Sequence, residues 1–326
     1  MFHSAVPRIL AILLACFALL LISPPTHTAR AERPPRKQKI IRNDGRITTV
    51  EPSSLRYSPS HAVTITPDQL KNEPVPHRDL LVFAPNPHRM TENGISPNSI
   101  IGPDERVRVP NTSVYPYSAI VELIVEFPYA TAQCSGWMIG ANQVATAGHC
   151  LNYAGLGGWA TAITAYPGRD GTNAPFGSVA AANWSVPNRW VKRQNPGVDY
   201  GVIQLTSSIG NTVGFFGYQY NDRDGFFVGR RVTVSGYPGD KVGAEANTQW
   251  KMQGSIDRAT ERRLFYEIDT YGGQSGSPMY GTWGRRDCSP CGFGIHTYGV
   301  GGGWSENSAT RITKSVFDFF QSAGAP

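Results

Sequence analysis

Charge is scarce in this chain. Asp, Glu, Lys and Arg make up 17% of 326 residues, too few for a coiled coil or a long helical rod. The apolar fraction of 40% is too high for a disordered chain. No G-X-Y period and no repeat of 20–50 residues is present, which excludes collagen and solenoids. A basic surface is also missing where a nucleic acid would need one. Residues 1–98 hold 12 Lys and Arg against 7 Asp and Glu, whereas residues 99–326 hold 18 against 17. Histidine is rarer still: beyond residue 98 there are only His149 and His296. Any histidine chemistry of the folded part uses one of these two.

What is present points to short strands. The chain has 35 Gly, 25 Pro, 14 Tyr, 14 Phe and 7 Trp, so turns are many and aromatics plentiful. The exception is the N-terminus. Arg8 precedes an apolar run from Ile9 to Ile22, Pro24 and Pro25 break it, and Ala29-Arg30-Ala31 is an A-x-A cleavage pattern. This describes a secretory signal peptide over residues 1–31. The run of 14 is short against the roughly 20 residues of a membrane span, so no stable membrane association is expected after cleavage. A signal anchor and a lipoprotein site at Cys16 are the competing readings, and the apolar run continues past Cys16, where a lipoprotein motif would end it.

Removing residues 1–31 leaves Cys134, Cys150, Cys288 and Cys291. An even number in an exported chain suggests two disulfides, with three pairings open and local pairing favoured. Cys288-Ser-Pro-Cys291 has the form of half a metal or redox site, but no second CxxC or nearby histidine completes a zinc set. No metal or cofactor motif is visible, and none is expected for the chemistry; a structural Ca²⁺ is left open by the sequence.

Residues 32–98 are rich in Pro, Arg, Asn and Ser, with short strand candidates at Ile40-Ile41, Ile47–Val50, Ala62–Ile65 and Leu80–Phe83. They read as a pro-segment or loosely ordered arm without its own core. From Ser99 strand candidates follow closely: Ala119–Phe127, Gly136–Gly140, Gln143–Ala147, Gly201–Leu205, Arg231–Gly236, Trp250–Ile256, Leu264–Ile268 and Phe293–Tyr298. Such spacing suggests a sandwich or barrels. The one good helix candidate is the end, where Thr313 is a cap and Val316, Phe317 and Phe320 share a face.

Three motifs carry chemistry. His149 lies in Thr146-Ala147-Gly148-His149-Cys150, after a strand. Asp199 lies in Gly197-Val198-Asp199-Tyr200-Gly201, before one. Ser275 lies in Asp269-Thr270-Tyr271-Gly272-Gly273-Gln274-Ser275-Gly276-Ser277-Pro278. A serine hydroxyl is a weak nucleophile at neutral pH. It needs a base for its proton, a carboxylate to orient that base, and backbone N–H donors for the oxyanion. Each motif alone is ordinary: a Gly-rich turn, a solvated Asp, a structural His. Together, in a β-rich exported chain, they form a specific constellation.

With these motifs the chain resembles the trypsin/chymotrypsin-like serine proteases, and more narrowly the bacterial glutamyl endopeptidase family. The likeness runs from Ser99-Ile100-Ile101-Gly102 through Gly136–Gly140, the His motif, Ser235–Lys241 and Asp269–Pro278 to Thr310–Lys314. The resemblance implies an all-β protease domain over 99–326, with two six-stranded antiparallel β-barrels and a C-terminal α-helix. It implies His149 as base, Asp199 as its orienter, Ser275 as nucleophile, and Gly273 and Ser275 as oxyanion donors. It pairs Cys134 with Cys150 and Cys288 with Cys291. It places His296, in Gly-Ile-His-Thr, and Thr270 in the primary specificity pocket, where both can donate to a substrate carboxylate. A trypsin-like pocket would instead hold a buried Asp near Thr270. Gln274 stands where trypsin-like enzymes carry the Asp that pairs with a new N-terminal amine, so activation must differ from that route.

The expected protein is a secreted, monomeric endopeptidase made as a zymogen, cleaving protein or peptide substrates after Glu and more weakly after Asp. Broad specificity on the same triad is the alternative. A catalytically silent protease-like binding protein is a third reading, opposed by the intact His149, Asp199, Ser275 and Gly273.

Overall fold

The computed structural model describes residues 37–75, 81–82, 98–301 and 304–323. The signal-peptide reading of 1–31 lies outside the described residues. Among those described, no helix is long and apolar enough to cross a membrane.

Twelve strands form the body. The first six are β1 (Ile120–Glu126), β2 (Thr131–Met138), β3 (Gln143–Thr146), β4 (Ala162–Pro167), β5 (Val179–Pro187) and β6 (Gly201–Leu205). They pair in the order β4-β1-β2-β3-β6-β5, and β5 returns to β4, so this barrel is closed. The second six are β7 (Arg231–Gly236), β8 (Trp250–Ser255), β9 (Arg263–Tyr266), β10 (Pro278–Gly281), β11 (Cys291–Tyr298) and β12 (Asn307–Arg311). Their order is β9-β12-β11-β10-β7-β8. No ladder joins β8 to β9 among the described residues, so this sheet curls into a half-barrel without closing.

The largely apolar Ile120–Glu126 run pairs along its whole length with β2 and packs Ile120, Val121, Leu123 and Val125 into the first core. Trp137 is fully buried there, edge-on to Phe216, Tyr218 and Phe320. Phe320 belongs to the closing helix α1 (Lys314–Ala323). Its Val316, Phe317 and Phe320 are buried as their spacing predicts, and Phe319 is buried too, against Tyr200. Thr313 stands at its start, with Oγ1 accepting the Val316 N–H at 3.4 Å. The helix follows the second half but packs on the first, so the chain end straps the two together.

Residues 37–75 have no core of their own, as their composition indicates, yet they are not loose. Lys39–Arg42 adds to β5 and pairs with Ile47–Thr49. Tyr57–Ser58 adds to Gly217–Gln219. Ile40 and Val50 enter the first core. Of Leu80–Phe83, Leu81–Val82 pairs parallel with β2, and Leu80 and Phe83 lie outside the described residues. Ala62–Ile65 forms no strand; the chain there makes a single bridge, His61 to Phe215.

Candidate active site

His149 sits in a turn, Gly148–Cys150, that leaves the end of β3. Asp199 caps the turn Pro196–Val198 and is separated from β6 by Tyr200 alone. Since β3 and β6 are paired, the two residues meet. Asp199 Oδ1 accepts the His149 backbone N–H at 2.9 Å, and Oδ2 lies 2.8 Å from His149 Nδ1. Both side chains are fully buried. Burial alone pushes the Asp199 carboxyl up. The charge of His149 and hydrogen bonds from His149 and Tyr298 outweigh it, holding the carboxyl below the usual carboxylate range.

Ser275 comes from the other half, in the loop before β10. Its carbonyl accepts the Ser135 N–H at 2.8 Å and lies 3.7 Å from Cys150 Sγ, one residue from His149. Cys150 is bonded to Cys134, and Cys288 to Cys291. The Cys134–Cys150 bridge ties β2 to the His149 turn. Cys134, His149 and Cys150 bring donor atoms within 4.8 Å of one another. With the two sulfurs joined, that group offers a metal a single imidazole.

The loop itself is fixed at three of its amides. The N–H of Gln274 goes to the Tyr271 carbonyl at 3.0 Å, that of Gly276 to His296 at 2.8 Å, and that of Ser277 to Gln274 at 3.0 Å. The N–H groups of Gly273 and Ser275 have no partner among the described residues. Gly273 holds φ at +97°, and a Cβ there would come within 2.7 Å of the Tyr237 carbonyl oxygen, so glycine alone fits. The Gly273 carbonyl is turned inward to accept from Ser135 Oγ at 2.9 Å. Gln274, uncharged, has its own local use: Oε1 accepts the Tyr271 N–H at 2.9 Å, bracing the turn without an N-terminal amine.

Thr270 and His296 are both buried. Thr270 Oγ1 has no hydrogen-bond partner among the described residues. His296 lies on β11, with Nδ1 2.6 Å from the Tyr266 hydroxyl. Burial, then the charge of Arg263 and the neighbouring His149, push His296 down to about 3, so it is neutral in ordinary buffers.

Three residues escaped sequence reading. Arg263 is buried and donates to the Pro196 carbonyl at 2.9 Å, Thr297 Oγ1 at 2.8 Å and Ser308 Oγ at 2.7 Å. Burial pushes its pKa down, and Tyr298 and Asp199 oppose that shift. Placing the strand at Leu264–Ile268 left this arginine just outside it. Tyr266, inside that strand, looked like core packing. Asp269, adjacent to Thr270, is 1% exposed. A buried Asp at this place is what a cation-selecting pocket would have, and the motif displayed it, but its partners could not be read from spacing.

A closed barrel and a half-barrel, with a buried His–Asp pair on one and a glycine-rich serine loop on the other, define a serine endopeptidase of the two-barrel type. The family model described as Trypsin matches residues 108–315, and the chain belongs to that family. It is 49% identical over 222 residues to the glutamyl endopeptidase of Bacillus licheniformis, covering 68% of this chain and 67% of that one. It is 39% identical over 229 residues to a Bacillus subtilis protein called an extracellular metalloprotease, covering 70% of each. A solved Glu endopeptidase in complex with MPD superposes with a TM-score of 0.62 at 31% identity, covering 70% of this chain and all of that one.

Proposed function

We propose that this protein is the precursor of a secreted endopeptidase that cleaves after Glu, and more weakly after Asp. In this reading residues 1–31 direct export, 32–98 are the pro-segment and 99–326 the protease. His149 Nε2 takes the proton of Ser275 Oγ as that oxygen attacks the scissile carbonyl. Asp199 keeps the proton of His149 on Nδ1 and steadies the imidazolium. The N–H groups of Gly273 and Ser275, unspent on the loop itself, hold the oxyanion. His149 then protonates the leaving amine, and water repeats the sequence on the acyl-enzyme.

The observation that carries the Glu preference is the pair of buried polar groups beside the nucleophile loop. Thr270 Oγ1 is unpartnered among the described residues, and His296 is neutral with Nδ1 against Tyr266. Burial pushes the Tyr266 hydroxyl far up, so it keeps its proton. As a donor to Nδ1 it leaves His296 with its proton on Nε2. A hydroxyl and an imidazole N–H replace the water lost by an entering carboxylate. The names of the Bacillus licheniformis relative and of the solved Glu endopeptidase support the same reading. Cleavage-site profiling of the mature enzyme on a peptide library tests it: cuts should concentrate after Glu, and equal cutting after Lys or Phe would replace this reading with broad specificity.

A further inference from the structure

Asp269 poses a problem for a pocket that accepts carboxylates. It is buried and immediately precedes Thr270. A free aspartate there would repel a Glu side chain and attract Lys or Arg.

Its two oxygens are already committed. Oδ1 accepts the Ile101 N–H at 2.8 Å and Oδ2 accepts the Glu105 N–H at 3.0 Å. The segment so held borders the pocket residues. Ser99 pairs with Thr270 in a short antiparallel bridge, and its Oγ lies where a Cβ on Gly299 would stand. Asn307 Nδ2 donates to both the Ser99 and Ile268 carbonyls, at 2.6 and 2.8 Å, fastening Ser99 to the residue before Asp269. Farther along, Arg106 pairs with Asp104 and Asp240, and Lys241 with Asp104.

We propose that Asp269 is a specificity-positioning residue: its carboxylate clamps segment 99–106 beside Thr270 and is thereby withdrawn from the pocket it would otherwise make cation-selective. The proposal rests on the Glu-selective reading of that pocket. Two N–H donors on one carboxylate satisfy it locally and turn both oxygens toward the segment. Asp269 then contributes shape to a site whose selectivity comes from Thr270 and His296. The relation is reciprocal. Losing Asp269 loosens the segment, and losing the segment's N–H groups releases the charge.

Two variants of the full chain, processed to the mature form, separate these effects. Asp269→Ala should lower kcat/KM on a Glu peptide at least 10-fold, mainly through KM, without creating Lys cleavage. Ile101→Pro removes one donor and should raise the Lys-to-Glu ratio of kcat/KM at least 10-fold, an increase that the Asp269→Ala background abolishes. Hydrogen exchange over residues 99–106 should speed up in both variants. Increased Glu cleavage in Asp269→Ala, or Lys cleavage by the wild type that disappears in it, would overturn the proposal. So would unchanged exchange in a folded Asp269→Ala enzyme. A wild type without Glu preference defeats the pocket reading instead, and the exchange result still reports whether Asp269 is the clamp.

Discussion

The Tyr266 hydroxyl lies 2.6 Å from Nδ1 of His296, and both side chains are buried. The contact fixes which ring nitrogen carries the proton, and it reaches across one sheet between β9 and β11, the two strands that flank β12. Loss of the hydroxyl leaves the imidazole in place but frees its tautomer. Tyr266→Phe should therefore reduce kcat/KM on Glu peptides by about 10-fold, the size of one lost neutral hydrogen bond, while barely changing Gln or Leu peptides. Equal loss on all peptides would indicate a purely structural contact.

His296→Ala and Thr270→Val remove the donors themselves. Each should cost about 2–4 kcal/mol of transition-state stabilisation on Glu substrates, because a desolvated carboxylate is left under-paired. Uncharged residues should lose much less, so selectivity collapses. Matched Glu, Asp, Gln and Leu peptides provide the measurement.

The buried neutral His296 also sets a pH dependence of stability. Its folded pKa, about 3, lies below the unfolded value of 6.5. Between those values the unfolded chain binds the extra proton, so stability falls as pH drops, by up to about 1.4 kcal/mol per pH unit from this group. Urea unfolding of wild type and His296→Gln at pH 4.5 and 7 should show the smaller pH difference in the variant.

Ser275→Ala should give a folded, exported protein with peptidase activity reduced roughly 10⁴-fold, and His149→Ala should be about as damaging because the two act as a unit. An organophosphorus reagent should label the wild type at Ser275, whereas a chelator should leave its peptidase rate unchanged. Near-normal hydrolysis by Ser275→Ala would refute the mechanism.

Processing is tested by N-terminal sequencing of secreted active enzyme, which should begin near Ser99. The freed amine would then stand beside Thr270, adding positive charge to the pocket. Full activity in a form still carrying residues 32–98 would show that removal is not required.

Much of the body was legible because its strands alternate or carry β-branched runs: Ile120–Glu126, Gly201–Leu205 and Arg231–Gly236 fall within a residue of their expected bounds. Val179–Pro187 and Asn307–Arg311 were not. The first is built of small residues and ends in proline. The second is Asn-Ser-Ala-Thr-Arg, polar yet wholly buried, because Arg263 binds Ser308 and Asn307 binds two carbonyls. Local pattern cannot announce partners supplied from distant strands. The motifs around His149, Asp199 and Ser275 stood out for the opposite reason: the chemistry proposed for them restricts residue type and the neighbouring glycines. Asp269 shows where that ends. Its identity was plain, but the direction of its carboxylate depends on Ile101 and Glu105, more than 160 residues earlier.

The strap formed by α1 has a consequence for the order of synthesis. A chain made from its N-terminus completes His149 and Asp199 first, and Ser275 later. Phe317, Phe319 and Phe320, which cover Tyr218, Tyr200 and Trp137, come last. Without the ten residues Lys314–Ala323, the first core loses that aromatic cover. In a chain interrupted before Lys314, His149, Asp199 and Ser275 would all be present while Trp137, Tyr200 and Tyr218 would lack the aromatic cover of α1.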